Sequence, residues 1–160
     1  TTEIYTLSLH DALPISWALG VPSYLFSGSE LRSGSVQREL LAQRIDLVVL
    51  AGFLRLIPIS LVQAFPRRMI NIHPALLPKY GGKGMYGHYV HEAVIAAGEK
   101  ESGITIHYVN ERYDEGEHLL QVKCRVFPED TPYSLATRIH ELEHANYPAV
   151  VGSVIAAIGP

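Results

Sequence analysis

The chain has 160 residues, 48% of them hydrophobic and 18% charged, with a formal net charge of -3. That length fits one domain able to bury roughly two thirds of its unfolded surface, and the lack of a basic excess argues against a nucleic-acid partner. The single cysteine, Cys124, excludes an internal disulfide and fits a reducing, cytoplasmic compartment, while Asp46, Arg55 and Pro58 break the longest apolar stretch, residues 45–62, so that it spans no membrane.

Residues 6–16 look like the conceptual translation of a sequencing adapter oligonucleotide. Residues 1–16 are therefore set aside as an artefactual leader, and His10 and Asp11 carry no functional weight. From Trp17 onward strand and helix patterns alternate. Residues 22–26 read as a short strand and 27–35 as a polar loop; Ser27-Gly28-Ser29 lacks the glycine spacing of a phosphate cradle. Val36, Leu40, Leu41 and Ile45 have helical spacing, with Ser33 or Ser35 as cap. Residues 46–51 form an apolar run of strand length, expected as a central parallel strand covered on both faces. Gly52 to Ile57 follows as a connection, and 58–65 reads as a helix opened by Pro58.

Residues 69–72 form a strand that runs into His73, Pro74 and Pro78. Asn71 and His73 are two apart, so on an extended backbone both project from one face at the strand's carboxyl end, where open α/β sheets bind ligands. The plain alternative is a buried Asn satisfied by backbone beside a His over Pro74. Gly81 to Gly87 is a glycine-rich loop, and 88–97 a helix terminated by Gly98, with His88 and His91 expected at solvated positions. Residues 103–110 alternate as a strand carrying His107, and Asp114 follows in an Asp-x-Gly turn. Glu117 and His118 depart from the apolar residues expected at the start of the next strand, 119–127, read as an antiparallel edge. Residues 131–145 form a helix, Pro148 kinks or ends it, and 149–158 pack as a last helix. His140-Glu141-Leu142-Glu143-His144 matches the zinc-protease pattern His-Glu-x-x-His, whose two histidines share a helical face. No third ligand follows at a recognisable spacing.

Asn-Ile-His-Pro-Ala-Leu-Leu-Pro-Lys-Tyr at 71–80 resembles the signature of the folate-dependent formyltransferases, and the resemblance runs from about Ala18 to Val154. It implies an α/β domain with a mostly parallel twisted sheet and helices on both faces. It also implies formyl transfer from 10-formyltetrahydrofolate, without a metal, to the amine of glycinamide ribonucleotide in purine synthesis. Asn71, His73 and Asp114 take the catalytic positions, with His107 behind them. Phe53, Leu54, Arg55, Leu56, Ile57, Asn110 and Asp114 match the wall that receives the folate. Glu143, in Glu-His-Ala-Asn-Tyr-Pro, matches the element that contacts the nucleotide, with Pro74 and His140 beside it. Family members open with a strand, a phosphate-binding loop and a helix, for which this sequence offers no counterpart, so an amino-terminally truncated domain over 17–160 is expected. The expected partners are small molecules, for a monomer or weak homodimer. Relatives that deformylate the folate or formylate methionyl-tRNA share the Asn-x-His and Asp constellation, and a non-catalytic folate-binding fragment is the alternative of another class.

Overall fold

The computed structural model describes residues 18–159; the leader assigned to residues 1–16 lies outside them. Among the described residues a four-stranded sheet runs in the order β1 (Val48–Leu50), β2 (Met69–His73), β3 (Glu101–Tyr108) and β4 (His118–Arg125). β1 pairs with β2 in parallel, whereas β2 with β3 and β3 with β4 are antiparallel. The α/β class is as expected, and over these strands the sheet is mixed. The edge expected at 119–127 is β4.

Side chains alternate across the strands, and each face has its own core. Met69, with Leu61, Val62 and Phe65, belongs to a cluster built with α1 (Gly28–Arg32), α2 (Ser35–Ala42) and α3 (Ile59–Ala64). Ile72, Ile104 and Ile106 point the other way, into a cluster with Val90 and Val94 of α4 (His88–Ala96) and Leu135 and Ile139 of α5 (Pro132–Ile158). Helices therefore cover both faces.

Several local expectations are corrected. Residues 22–26 are not a strand, and the polar stretch after them is not all loop, because Ser27 opens α1 with a capping box. Its hydroxyl accepts from the Glu30 amide at 3.2 Å, and the Glu30 carboxylate accepts from the Ser27 amide at 2.7 Å. The Ser-x-x-Glu signal was present in the sequence. Neither Ser33 nor Ser35 caps α2; Gly34 does so in a left-handed conformation (φ 78°), without a side-chain bond. β1 is shorter than the apolar run predicts and only half-buried. Pro148 does not end its helix: α5 continues through it to Ile158. The Tyr147 hydroxyl, one residue earlier, donates to the Leu50 carbonyl at 2.7 Å and lies 3.3 Å from that of Ile70, so it fastens α5 across β1 and β2. Burial, aided by the Glu143 charge, pushes its phenol pKa up.

The segment after His73 crosses β3 at close range. A Cβ on Gly103 would lie 2.0 Å from the Val122 carbonyl oxygen and 2.7 Å from Leu76 Cδ2. Backbone cannot yield to that contact. Gly103→Ala is expected to lower stability by about 1–3 kcal/mol, the cost of overpacking a closed site, read as a fall of several degrees in Tm; an unchanged Tm would mean that β3 and β4 separate freely here.

Candidate active site

Two cross-strand rows build the site. Asn71 of β2 stands opposite His107 of β3, and His73 stands opposite Thr105, with Gln121 of β4 beyond it. Directly opposed residues share a face, so Asn71 and His73 project with Thr105 and His107. The register shifts between Ile106 and His107, where β4 carries an extra residue. Such a bulge re-aims the side chains beside it. The unexpected Glu117 and His118 lie at this irregular start of β4, and Glu117 is ion-paired to Arg67.

Asp114 comes to these rows from the loop after β3, in a left-handed conformation (φ 56°). Gly116, two residues on, is forced: a Cβ there would lie 1.6 Å from the Tyr108 carbonyl oxygen. The Asp114 carboxylate faces two imidazoles, His73 Nδ1 at 3.5 Å and His107 Nε2 at 3.6 Å, and accepts from the Gly82 amide at 2.9 Å. Burial opposes its ionisation, but His107 and His73, whose facing nitrogens can take up a proton, and the Gly82 amide outweigh this and hold its pKa below the ordinary carboxylate value.

The hydrogen bonds fix which nitrogens carry protons. His73 Nε2 lies 2.8 Å from the Tyr80 carbonyl, which can only accept, so Nε2 holds the proton and Nδ1 faces Asp114. His107 Nδ1 likewise donates to the Tyr108 carbonyl at 2.9 Å, which leaves Nε2 of the neutral ring to accept from Asn71 Nδ2 at 3.3 Å. Burial lowers the pKa of His73, against the raising pull of Asp114, the Tyr80 carbonyl and Glu143. It rests neutral beside a carboxylate that would stabilise its charged form.

Beside Asn71 and Asp114 a depression is lined by Phe53, Arg55, Leu56 and Ile57 from the connection after β1, and by Val109 and Asn110 after β3. Leu54 is the exception to the expected wall: it is absent from the lining and exposed. Leu50, Val109, Arg112 and Tyr113 line the depression too and were not anticipated; the last two flank Asp114 in sequence, the signal that could have found them. Arg55 does not point simply to solvent. Its guanidinium lies over Gly28, where a Cβ would come within 2.6 Å of Nη1.

Glu143 and His140 approach from α5, with Glu143 Oε2 accepting from His140 Nδ1 at 2.7 Å. Pro74, half-buried, follows His73 directly. Among the described residues no group of three or more His, Cys, Asp or Glu could hold a metal ion, so the His-Glu-x-x-His string has no zinc-ligand set there. No helix among them is long and apolar enough to cross a membrane. The expectation for His91 is overturned: it is buried in α4, 2% exposed, with Nδ1 unpartnered. Helical spacing put it beside solvated His88, but it lies on the face that α5 covers. Burial first, then the nearby imidazoles of His140, His73 and His88, lower its pKa to about 4.

The formyl transferase family profile matches residues 10–151. A relative from Arabidopsis thaliana named phosphoribosylglycinamide formyltransferase, chloroplastic, is 56% identical over 110 residues, 69% of this chain and 38% of the relative. The phosphoribosylglycinamide formyltransferase of Bacillus subtilis is 34% identical over 143 residues, 86% of this chain and 71% of that protein. In structure, the phosphoribosylglycinamide formyltransferase of Streptococcus pneumoniae superposes with a TM-score of 0.85 at 32% identity, covering 96% of this chain and 86% of that one. The chain thus spans little more than a third of the Arabidopsis relative's length.

His91 and Asp114 generate two expectations. Because the unfolded chain protonates His91 near the ordinary value of 6.5 and the folded chain only near 4, its contribution to stability is complete above about pH 6.5 and lost as pH falls toward 4. His91→Gln should therefore reduce the slope of unfolding free energy against pH in that window by about one proton, measured by denaturant titration at several pH values. Asp114→Asn removes the carboxylate that raises the pKa of His73, so the NMR titration midpoint of His73 should move down; an upward movement would refute the pairing.

Proposed function

The chain belongs to the formyl transferase family, and from that premise we propose that it transfers a formyl group from 10-formyltetrahydrofolate to the amine of glycinamide ribonucleotide, a step of purine synthesis. The observation that carries the reading is one carboxylate, Asp114, shared by His73 and His107 with Asn71 alongside. Those residue types are what acyl transfer to an amine requires: a donor for the oxyanion and a carrier for the proton.

The depression is the proposed seat of the formyl donor. Phe53, Ile57, Leu50 and Val109 supply apolar walls for a flat ring, and Asn71 and Asp114 belong to the same lining. A folate bound there would bring its formyl carbon to the amide of Asn71. One N–H of that amide is held by His107, and the other is directed to the oxygen that gains charge when the amine attacks. His73 takes the amine proton at Nδ1, the nitrogen facing Asp114, and the carboxylate stabilises the imidazolium that results. The same proton can pass to the folate nitrogen as the carbon–nitrogen bond breaks. Glu143, with His140, and Pro74 are the proposed contacts to the nucleotide. The lone, half-buried Cys124, whose thiol pKa burial raises, suits a reducing compartment such as the cytoplasm.

Asn71→Ala is expected to lower kcat by about a hundred- to a thousandfold with little change in the binding of a folate analogue, measured by steady-state transfer assays and calorimetry. Near-normal turnover would remove Asn71 from the mechanism.

A further inference from the structure

A hydroxyl that touches no expected substrate stands at the centre of the segment behind His73. Thr105, fully buried on β3, donates to the Ala75 carbonyl at 2.7 Å and accepts from the Leu77 amide at 3.0 Å. It also accepts from the Gln121 carboxamide at 2.9 Å, and the same nitrogen of Gln121 donates to the Leu77 carbonyl at 2.8 Å. Four bonds thus join one threonine, one glutamine and three backbone groups of the segment between His73 and Tyr80. The register supplies the reason, since His73, Thr105 and Gln121 stand side by side on three neighbouring strands. That segment ends at Tyr80, which is also held in a left-handed conformation (φ 56°), and its carbonyl receives the His73 Nε2 proton.

We propose that Thr105 and Gln121 are positioning residues for His73: by clamping residues 75–77 they hold the Tyr80 carbonyl in place, and so keep the His73 proton on Nε2 and Nδ1 turned to Asp114. The proposal rests on the functional reading above and extends it to two residues beyond reach of the reacting atoms. Without the clamp, Tyr80 no longer dictates the tautomer. A neutral His73 with its proton on Nδ1 would already be hydrogen-bonded to Asp114 and could not accept the amine proton there. Thr105 can be replaced by Ser, which keeps donor and acceptor, but not by Val. Gln121 lies on the edge strand and only partly out of solvent, so Gln121→Leu alters the clamp with little risk to the fold.

The test is the imidazole nitrogen and proton spectrum of His73 in the unsubstituted chain, Thr105→Ser, Thr105→Val and Gln121→Leu, together with the pH profile of kcat. The unsubstituted chain and Thr105→Ser should show a slowly exchanging Nε2 proton and one tautomer. Gln121→Leu, and Thr105→Val if it folds, should show exchange at least tenfold faster and a tautomer mixture. Their kcat should fall about tenfold or more, with the KM for folate within twofold. A single, slowly exchanging Nε2 tautomer in a folded Gln121→Leu protein overturns the proposal, as does a loss of thermal stability with an unchanged pH profile. The spectrum needs no formyl donor, so absence of transfer in the unsubstituted chain would count against the functional reading alone.

Discussion

Everything at the site turns on placing one negative charge where water is scarce. Asp114 is half-buried, and a carboxylate there keeps its charge only if partners replace the lost hydration. The Gly82 amide donates to it, and the two imidazoles that face it become donors when they take up a proton. Each of those partners belongs to a different segment: His73 ends β2, His107 lies in β3, and Gly82 belongs to the glycine-rich loop. The ionised group therefore gathers three segments, and its left-handed backbone is the local strain accepted for doing so. Gly116 makes the turn possible by leaving room for the Tyr108 carbonyl.

The sheet supplies the rest through register alone. A one-residue slip of β2 against β3 would turn Asn71 and His73 to the opposite face and bring Ile70 and Ile72 to the site. The two apolar clusters forbid this, because Met69 is committed to one and Ile72 to the other. The positions of the polar side chains are thus fixed by the apolar residues between them.

Much of this was legible in the residues. The strand character of residues 69–72, the helix opened by Pro58 and the Asn-x-His spacing are local signals, and local signals survive folding. What misled was composition read without its hydrogen bonds: serines and a glycine suggested a loop at 27–35, although Ser27 and Glu30 spelled a capping box. His91 failed for the opposite reason. Its burial depends on a helix some fifty residues later, and no window around position 91 contains that information. Arg112 and Tyr113 escaped because a loop's side chains have no period to read. The left-handed turn, not a pattern, decides where they point. The parallel pairing of β1 and the antiparallel edge at β4 were read, but the antiparallel pairing of β2 with β3 was not, since a strand's sequence states that it is covered more clearly than which way its neighbour runs.

The fastening of Tyr147 to the Leu50 and Ile70 carbonyls has a further consequence. Glu143 lies four residues before it on the same helix, about one turn of 5.4 Å away, so α5 acts as a ruler with one end fixed to the strands and its first graduation at the Glu143 carboxylate. A ruler tolerates repainting but not the loss of a division. Residues 144–146 can differ in kind, whereas inserting or deleting even one between 143 and 147 would swing the carboxylate by about 100° around the axis. Change in this part of the molecule is thereby confined to substitution, and length is the property that cannot drift.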